Sequence, residues 1–143
     1  MTTRGAYQSI GLIFVLVLTC VCLPACKSKP KITDKDVEVI DDVTLVELLE
    51  GKERVTIVDA RQDYRYRLGH IPDAINIPLA ELKPTDFRFV KGQQVVVYGD
   101  SSRNTLSHAA AKKLLAGGNL VVFDFRGGLE MWKRADREVV TGY

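Results

Sequence analysis

The sequence has 143 residues, a length that suits one globular domain of ordinary size. Hydrophobic residues make up 46% and charged residues 27% of it, a composition that excludes wholesale disorder. The formal net charge is +2, and Arg4 is the only charged residue among the first 26, so the remainder carries 19 basic and 18 acidic side chains. This balance gives no electrostatic basis for binding nucleic acid, and we exclude that class of partner.

The cysteines are confined to the N-terminal segment. They are Cys20, Cys22 and Cys26, and the sequence from residue 27 to 143 contains no thiol. A disulfide within a domain formed by that part is impossible, and so is a cysteine-based zinc site. The chain has two histidines, too few for a histidine-rich cluster, and no spacing indicates a mixed histidine–carboxylate site. The sequence therefore predicts neither a metal nor a cofactor.

The N-terminal segment has the pattern of a secretory signal. Arg4 precedes an apolar run of 14 residues, 10–23, which is shorter than the roughly 20 residues needed to span a bilayer. The tetrapeptide LPAC that ends at Cys26 resembles a bacterial lipobox, in which cleavage leaves the cysteine to be acylated. We expect residues 1–25 to be a lipoprotein-type signal peptide and Cys26 to anchor the protein to a membrane.

Three destinations remain open for such a protein. The lipid anchor would hold it at the outer membrane or at the outer face of the cytoplasmic membrane. An uncleaved N-terminal anchor and a soluble secreted protein are the alternatives. All three place the domain outside the cytoplasm, so we expect an exported protein of the cell envelope.

Residues 26–35 are polar, contain one proline and show no periodicity, which predicts a tether after the lipidated N-terminus. Residues 36–143 are expected to form the folded domain, because short apolar runs rich in Val and Ile alternate there with helical patterns. Five such runs predict strands: Val37–Ile40, Val55–Asp59, Ala74–Ile77, Gln94–Tyr98 and Leu120–Phe123.

Helical patterns lie between the predicted strands. The first covers Thr44–Leu49, and a short last one follows Gly127-Gly128. Another is expected to begin at a Ser101 or Ser102 cap and to run through Leu115, with one apolar face. That face comprises Leu106, Ala109, Ala110, Lys113 and Leu114. The alternation predicts an α/β fold with a central, mostly parallel, five-stranded sheet and helices on both faces.

Three segments carry recognisable motifs. The first is Asp59-Ala60-Arg61 followed by GHIPDAINIP, which begins at Gly69-His70 and has the aromatic Tyr66 before it. The second is the strand Val95–Tyr98 with its following loop, and the third is GGLEMW, which starts at Gly127-Gly128 and ends at Trp132. These segments, in this order, resemble the rhodanese homology domain. Asp73 stands where that family usually has glycine, and Arg65 stands where it often has an acid.

We interpret most of these motif residues as structural. Asp59 and Arg61 are expected to pair at the end of a strand, His70 to pack in a turn, and Trp132 to lie in the core. Gly69, Gly127 and Gly128 complete this set of family-motif residues, to which we assign no chemistry.

The loop after the central strand decides the expected activity. The resemblance implies a cysteine at the end of that strand, within a C-x-x-G-x-R loop whose amides and following helix lower the thiol pKa and hold a persulfide. Here the segment reads Gly99-Asp100-Ser101-Ser102-Arg103-Asn104, with Gly99 at the cysteine position. Shifting the alignment by one residue places Asp100 there instead, and no register supplies a thiol. We therefore assign no catalytic residue and regard the loop as degenerate.

The sequence leaves three functions open. We expect a non-catalytic rhodanese-like domain that binds an envelope protein or, weakly, a small anion at Ser101, Ser102 and Arg103, opposed by Asp100. The alternative is a thiosulfate or persulfide sulfurtransferase with a non-standard site, and the third reading is a purely structural envelope lipoprotein. A serine nucleophile is disfavoured because His108 lies six residues after Ser102, a poor match in a helix.

Overall fold

The computed structural model describes residues 31–51, 53–86, 88–118 and 120–143. The predicted signal peptide and the predicted lipidation at Cys26 lie outside these residues. Within the described ranges, no helix is both long and apolar enough to cross a membrane.

One parallel sheet forms the centre of the domain. Its strands are β1 Glu38–Ile40, β2 Val55–Asp59, β3 Ile75–Asn76, β4 Gln94–Tyr98 and β5 Val121–Phe125. They lie in the order β1-β5-β4-β2-β3, and each neighbouring pair is parallel. The predicted α/β class and five-stranded sheet are confirmed, with β1, β3 and β5 displaced by one or two residues from the predicted bounds.

Four helices cover the two faces of the sheet. Helices α1 (Asp42–Glu50), α2 (Asp63–Arg67) and α4 (Gly128–Arg134) pack on one face, and α3 (Leu106–Leu115) packs on the other. Alternate residues of the central strand serve the two layers, because successive strand side chains point to opposite faces. Tyr98 accordingly joins the α1, α2 and α4 side, whereas Val97 packs toward α3.

The start of α3 differs from the prediction. The helix begins at Leu106, not at a Ser101 or Ser102 cap, and Thr105 precedes it without a side-chain capping bond. The Asn104 carboxamide oxygen accepts a hydrogen bond from the Leu106 amide at 2.9 Å, and the Asn104 amide donates to the Ser101 carbonyl at 3.0 Å. Asn side chains that bond nearby amides favour turns over helix, which delays the helix by one turn.

The predicted apolar face of α3 is confirmed at Leu106, Ala110 and Leu114, and it is wrong at Ala109. Ala109, assigned to the buried face, is exposed. The residues that pack against the sheet follow helical spacing and are Ser107, Ala110, Ala111 and Leu114. Ser107 is buried although it is polar, so a pattern of hydrophobic residues alone could not place it on this face.

The topology places a crevice between β2 and β4. The chain leaves β2 toward β3 on one side of the sheet, and it leaves β4 toward β5 on the other side. In open α/β sheets, ligands bind at such a reversal, outside the carboxyl ends of the strands. The loops that follow Asp59 and Tyr98 therefore border the position where a functional site is expected.

Candidate functional site

A cavity of about 450 Å³ opens at this crevice. Its walls come from the loop after β2, from α2, from the segment after β3 and from the loop between β4 and α3. The lining residues are Ala60, Arg61, Gln62, Arg65, Leu79, Ala80, Asp100, Asn104 and Leu106. Two arginines and one carboxylate thus face an otherwise uncharged and partly apolar space.

Asp59 and Arg61 form a buried ion pair at the end of β2. The Arg61 backbone amide and Nε both donate to Asp59 Oδ1 at 2.9 Å, and Nη2 donates to Oδ2 at 2.6 Å. Nη2 also donates to the Gly69 carbonyl at 2.7 Å, which ties the pair to the turn that follows α2. The pairing supports the structural role expected for both residues, with one guanidinium nitrogen, Nη1, left toward the cavity.

Asn76 holds the same strand end from the outside, and the sequence analysis assigned it no role. Its side-chain Nδ2 donates to the Asp59 carbonyl at 3.0 Å and to the Arg61 carbonyl at 2.9 Å. The only available signal was its place in the GHIPDAINIP motif. The motif therefore stabilises the backbone that presents Arg61.

Gly99 is buried directly after β4, where the resemblance implies a cysteine. A Cβ atom built on Gly99 would lie 3.4 Å from Leu106 Cβ and 3.6 Å from the Ser107 amide nitrogen, both ordinary van der Waals distances. The Cβ atom of a side chain at this position would therefore fit, and it would face the first turn of α3. Glycine itself places no nucleophile at the strand end.

Asp100 extends into the cavity beside the two arginines. Its Oδ1 lies 2.9 Å from Arg65 Nη1 and 3.5 Å from Arg61 Nη1. The Tyr64 hydroxyl and then the Asp100 carboxylate raise the pKa of Arg65 above its ordinary value, so this guanidinium is charged. The ion pair between Asp100 and Arg65 was not predicted, because it joins a loop to helix α2 and the sequence alone does not place the two together.

Gly128 supports the loop that carries Gly99 and Asp100. It adopts a φ of +62°, and a Cβ atom built there would lie 2.5 Å from the Gly99 carbonyl oxygen. The next two amides of α4 bond the loop, since Leu129 N donates to the Gly99 carbonyl at 3.0 Å and Glu130 N donates to the Asp100 carbonyl at 2.9 Å. Only glycine combines this backbone conformation with so close an approach.

The remaining loop residues turn away from the cavity, apart from Asn104. Ser101 and Ser102 are not among its lining residues. Arg103 is 84% exposed and lies 3.5 Å from Glu130. The expected anion-binding donors are thus spread over the outer surface of the loop, and the first turn of α3 begins further along the chain than the prediction placed it.

The two histidines are engaged elsewhere. His108 Nδ1 lies 3.1 Å from Asp124 Oδ2, and its Nε2 lies 3.1 Å from Asp34 Oδ1. Hydrogen bonds from Lys112 and then from His108 hold the pKa of Asp34 at about 2, although this carboxylate is exposed. These contacts fasten the start of the described chain to α3, so His108 faces a different surface from Ser101 and Ser102.

His70 lies in the core beneath α2. Its ring stacks on Tyr66 with the ring centroids 3.7 Å apart, and Nδ1 lies 2.9 Å from the Tyr66 carbonyl oxygen. Trp132 is also buried, and its Nε1 donates to the Glu138 carbonyl at 2.6 Å. Burial and then the Asp59 carboxylate raise the pKa of the Tyr98 hydroxyl far above its ordinary value, so this phenol stays neutral.

No group of three or more metal-ligating side chains converges in the part of the chain that the structure describes.

A model of the rhodanese-like domain family matches residues 42–135, which is most of the folded domain. The chain belongs to the rhodanese-like domain family.

Relatives and solved structures place this rhodanese-like chain in context. A protein named "Sulfurtransferase" from Allochromatium vinosum is 31% identical over 105 residues, which cover 73% of this chain and 96% of the relative. The protein slr1261 of Synechocystis sp. is 32% identical over 87 residues, which cover 61% of this chain and 48% of the relative. The crystal structure of BH2092 from Bacillus halodurans matches with a TM-score of 0.67 and 28% identity, covering 75% of this chain and 79% of that one.

The matched region therefore spans about half the length of the Synechocystis relative and nearly all of the Allochromatium one. These comparisons establish homology to sulfurtransferases. The chemistry of this chain follows from its own residues at the end of β4.

Proposed function

We propose that this protein is a non-catalytic rhodanese-like domain, displayed at the cell envelope, that binds a protein partner or a small ligand at the crevice between β2 and β4. One observation carries the proposal. Gly99 stands at the carboxyl end of the central strand, and residues 27–143 contain no thiol. Sulfur transfer by this family's chemistry needs a thiolate that accepts sulfur, and glycine has no atom that can form a persulfide.

The serines do not replace the thiol. A serine hydroxyl becomes a useful nucleophile only when a base beside it takes its proton. His108 is held between Asp124 and Asp34, and His70 is stacked on Tyr66 in the core. Neither imidazole of the described structure serves Ser101 or Ser102, which supports a binding role for the loop.

The competing function is a sulfurtransferase with a non-standard nucleophile. It is favoured by the 31% identity to the Allochromatium protein of that name. It would require a nucleophile outside the loop, such as an unmodified Cys26 folded back over the tether. Fold and homology do not by themselves fix activity, so the nucleophile at the site decides.

A thiosulfate:cyanide assay separates the two functions. The test protein is the full chain with Cys20, Cys22 and Cys26 replaced by alanine, compared with the unaltered chain. We expect neither protein to produce thiocyanate above a protein-free control. Thiocyanate production by either protein would overturn the non-catalytic proposal, and production only by the unaltered chain would identify an N-terminal cysteine as the nucleophile.

Substituting Gly99→Cys in the same cysteine-free chain is expected to create a sulfur acceptor. The new thiolate would attack the outer sulfur of thiosulfate, the S–S bond would break, and sulfite would leave with the bonding electrons. Cyanide would then take the sulfane sulfur as thiocyanate and return the thiolate. Amides of the first turn of α3 lie close enough to stabilise the thiolate, since a Cβ atom at this position lies 3.6 Å from the Ser107 amide nitrogen.

We expect intact-mass measurement of the Gly99→Cys variant to show one added sulfur after thiosulfate treatment. Ser102→Cys, on the outer surface of the same loop, is the matched control and should gain little or none. Equal sulfur uptake by both variants would show that the strand end has no special geometry for the reaction.

The envelope location rests on the N-terminal sequence and has its own test. Replacing Cys26 by alanine is expected to move the protein from the membrane fraction to the soluble fraction, because acylation at this residue would be lost. Cys22→Ala is the control and should remain in the membrane fraction. Retention of the Cys26→Ala variant in membranes would contradict the lipid anchor.

A further inference from the structure

We propose that Asp100 acts as a ligand built into the chain: it fills the anion-binding position of the cavity and so selects against anionic ligands. The proposal concerns what the crevice accepts, and it rests on the proposed function only in treating the crevice as a binding site.

Two guanidinium nitrogens, one from Arg61 and one from Arg65, are hydrogen-bond donors that face the cavity. Arg61 uses Nε and Nη2 for Asp59 and the Gly69 carbonyl, which leaves Nη1. Arg65 presents its own Nη1 from α2. Both nitrogens point at a single atom, Asp100 Oδ1, at 3.5 Å and 2.9 Å respectively. An oxyanion entering the cavity would seek these same two donors.

The positive and negative charges of the side chains at the crevice balance each other. Asp59 neutralises Arg61, and Asp100 neutralises Arg65, so the four ionised groups at the crevice sum to zero. An external anion would meet two guanidinium groups whose charge is already compensated, and it would be repelled by the nearby carboxylate. A cation would be repelled by Arg65 in the same way. The cavity therefore offers no net attraction to a charged group.

Contacts with α4 hold the backbone of Asp100 in place. Glu130 N donates to the Asp100 carbonyl at 2.9 Å, and Gly128 packs directly against the Asp100 backbone. The backbone of Asp100 is thus held by α4, and the two arginines hold its carboxylate before any ligand arrives. A group that is already fixed beside its partner competes at a high effective concentration with any group that comes from solution.

Apart from the two arginines and Asp100, the residues that line the cavity are uncharged. The apolar surfaces are Ala60, Leu79, Ala80 and Leu106, and the uncharged polar groups are Gln62 and Asn104. A ligand of about 450 Å³ or less could contact both kinds of surface. The geometry therefore points to an uncharged ligand group, partly apolar and able to bond an amide.

Isothermal titration calorimetry of the full chain with sulfate, and separately with thiosulfate, tests the proposal. The unaltered protein should bind both anions weakly, and Asp100→Asn should bind them at least about tenfold more tightly, a change that corresponds to about 1.4 kcal/mol. Asp100→Ser should shift the affinity in the same direction. Adding Arg65→Gln to Asp100→Asn should remove the gain, because one of the two released donors is lost.

Asp63→Asn is the matched control. It makes the same change in net charge, on the helix that carries Arg65, and it breaks the pair with Arg67, which is not among the cavity-lining residues. Anion affinity should stay unchanged in this variant. The proposal is overturned if the unaltered protein binds anions as tightly as Asp100→Asn, or if Asp63→Asn produces the same gain. Neither result depends on thiocyanate production, so a failure here is distinct from a failure of the non-catalytic assignment.

Discussion

Replacing Asp59 by alanine is expected to lower the free energy of unfolding by about 3–5 kcal/mol, the usual cost of leaving one member of a buried ion pair without its partner. Arg61 is only 5% exposed and donates four hydrogen bonds to this carboxylate from three groups, its backbone amide, Nε and Nη2. Its Nη2 also donates to the Gly69 carbonyl, which holds the guanidinium in place. Urea denaturation of the two proteins at neutral pH measures the difference.

Asp86 and Arg88 supply a matched control within the same molecule. The Arg88 amide and Nε donate to Asp86 Oδ1, and Nη2 donates to Oδ2 at 2.6 Å, which repeats the geometry of the first pair. Arg88 is 35% exposed, so it can turn toward solvent when its partner is removed. We expect Asp86→Ala to cost about 1 kcal/mol, near the range of exposed pairs. Equal losses in the two variants would show that burial of the arginine is not the cause.

Replacing Gly128 by alanine is expected to be the second large effect, with a loss of about 3 kcal/mol. The φ of +62° is a strained conformation for alanine and costs about 1–2 kcal/mol. The added Cβ would also lie 2.5 Å from the Gly99 carbonyl oxygen and 2.8 Å from the Asp100 carbonyl carbon, contacts that only a backbone shift can relieve. Thermal and urea unfolding both report the loss.

Gly118→Ala isolates the conformational part of that effect. Gly118 has a φ of +72°, and no atom lies within 4 Å of a Cβ built on it. Its substitution should therefore cost about 1–2 kcal/mol, the conformational cost without the collision. If the two substitutions destabilise the protein equally, then the contact between Gly128 and the loop at Gly99 contributes nothing, and α4 does not position Asp100 as we describe.

The fold was predictable because the sequences of its central strands have a clear strand pattern. Val55–Asp59 and Gln94–Tyr98 are runs of β-branched and aromatic residues, and a sheet covered on both faces needs such continuous apolar segments. The start of α3 was not predictable in the same way. Ser101 and Ser102 are good capping residues, and the sequence does not show that Asn104 forms the turn that precedes the helix instead.

The candidate site likewise has one part that the sequence predicts and one part that it does not. Gly99 and the absence of a thiol can be taken directly from the sequence once the GGLEMW and Asp59-Ala60-Arg61 motifs align the chain. The pairing of Asp100 with Arg65 depends on a loop and a helix, α2, that meet only in the folded domain. No local pattern indicates which of the 19 basic side chains after residue 26 would face that carboxylate.

Gly128, the first residue of α4, has a structural role although the loop that it supports carries no thiol. Gly128 and the two amides that follow it hold the backbone at Gly99 and Asp100. In this chain the same support presents a carboxylate in place of a thiolate. The scaffold therefore explains why Gly99→Cys should supply a sulfur acceptor, while Asp100 should keep the affinity for anionic thiosulfate low in both proteins.

The most direct test of the non-catalytic assignment is the intact mass of the unaltered chain after treatment with thiosulfate, followed by peptide mapping. The account predicts that no peptide beyond residue 27 carries an added sulfur atom, while the Gly99→Cys variant carries one at the substituted position. A sulfur atom found on any peptide of the unaltered folded domain would contradict it.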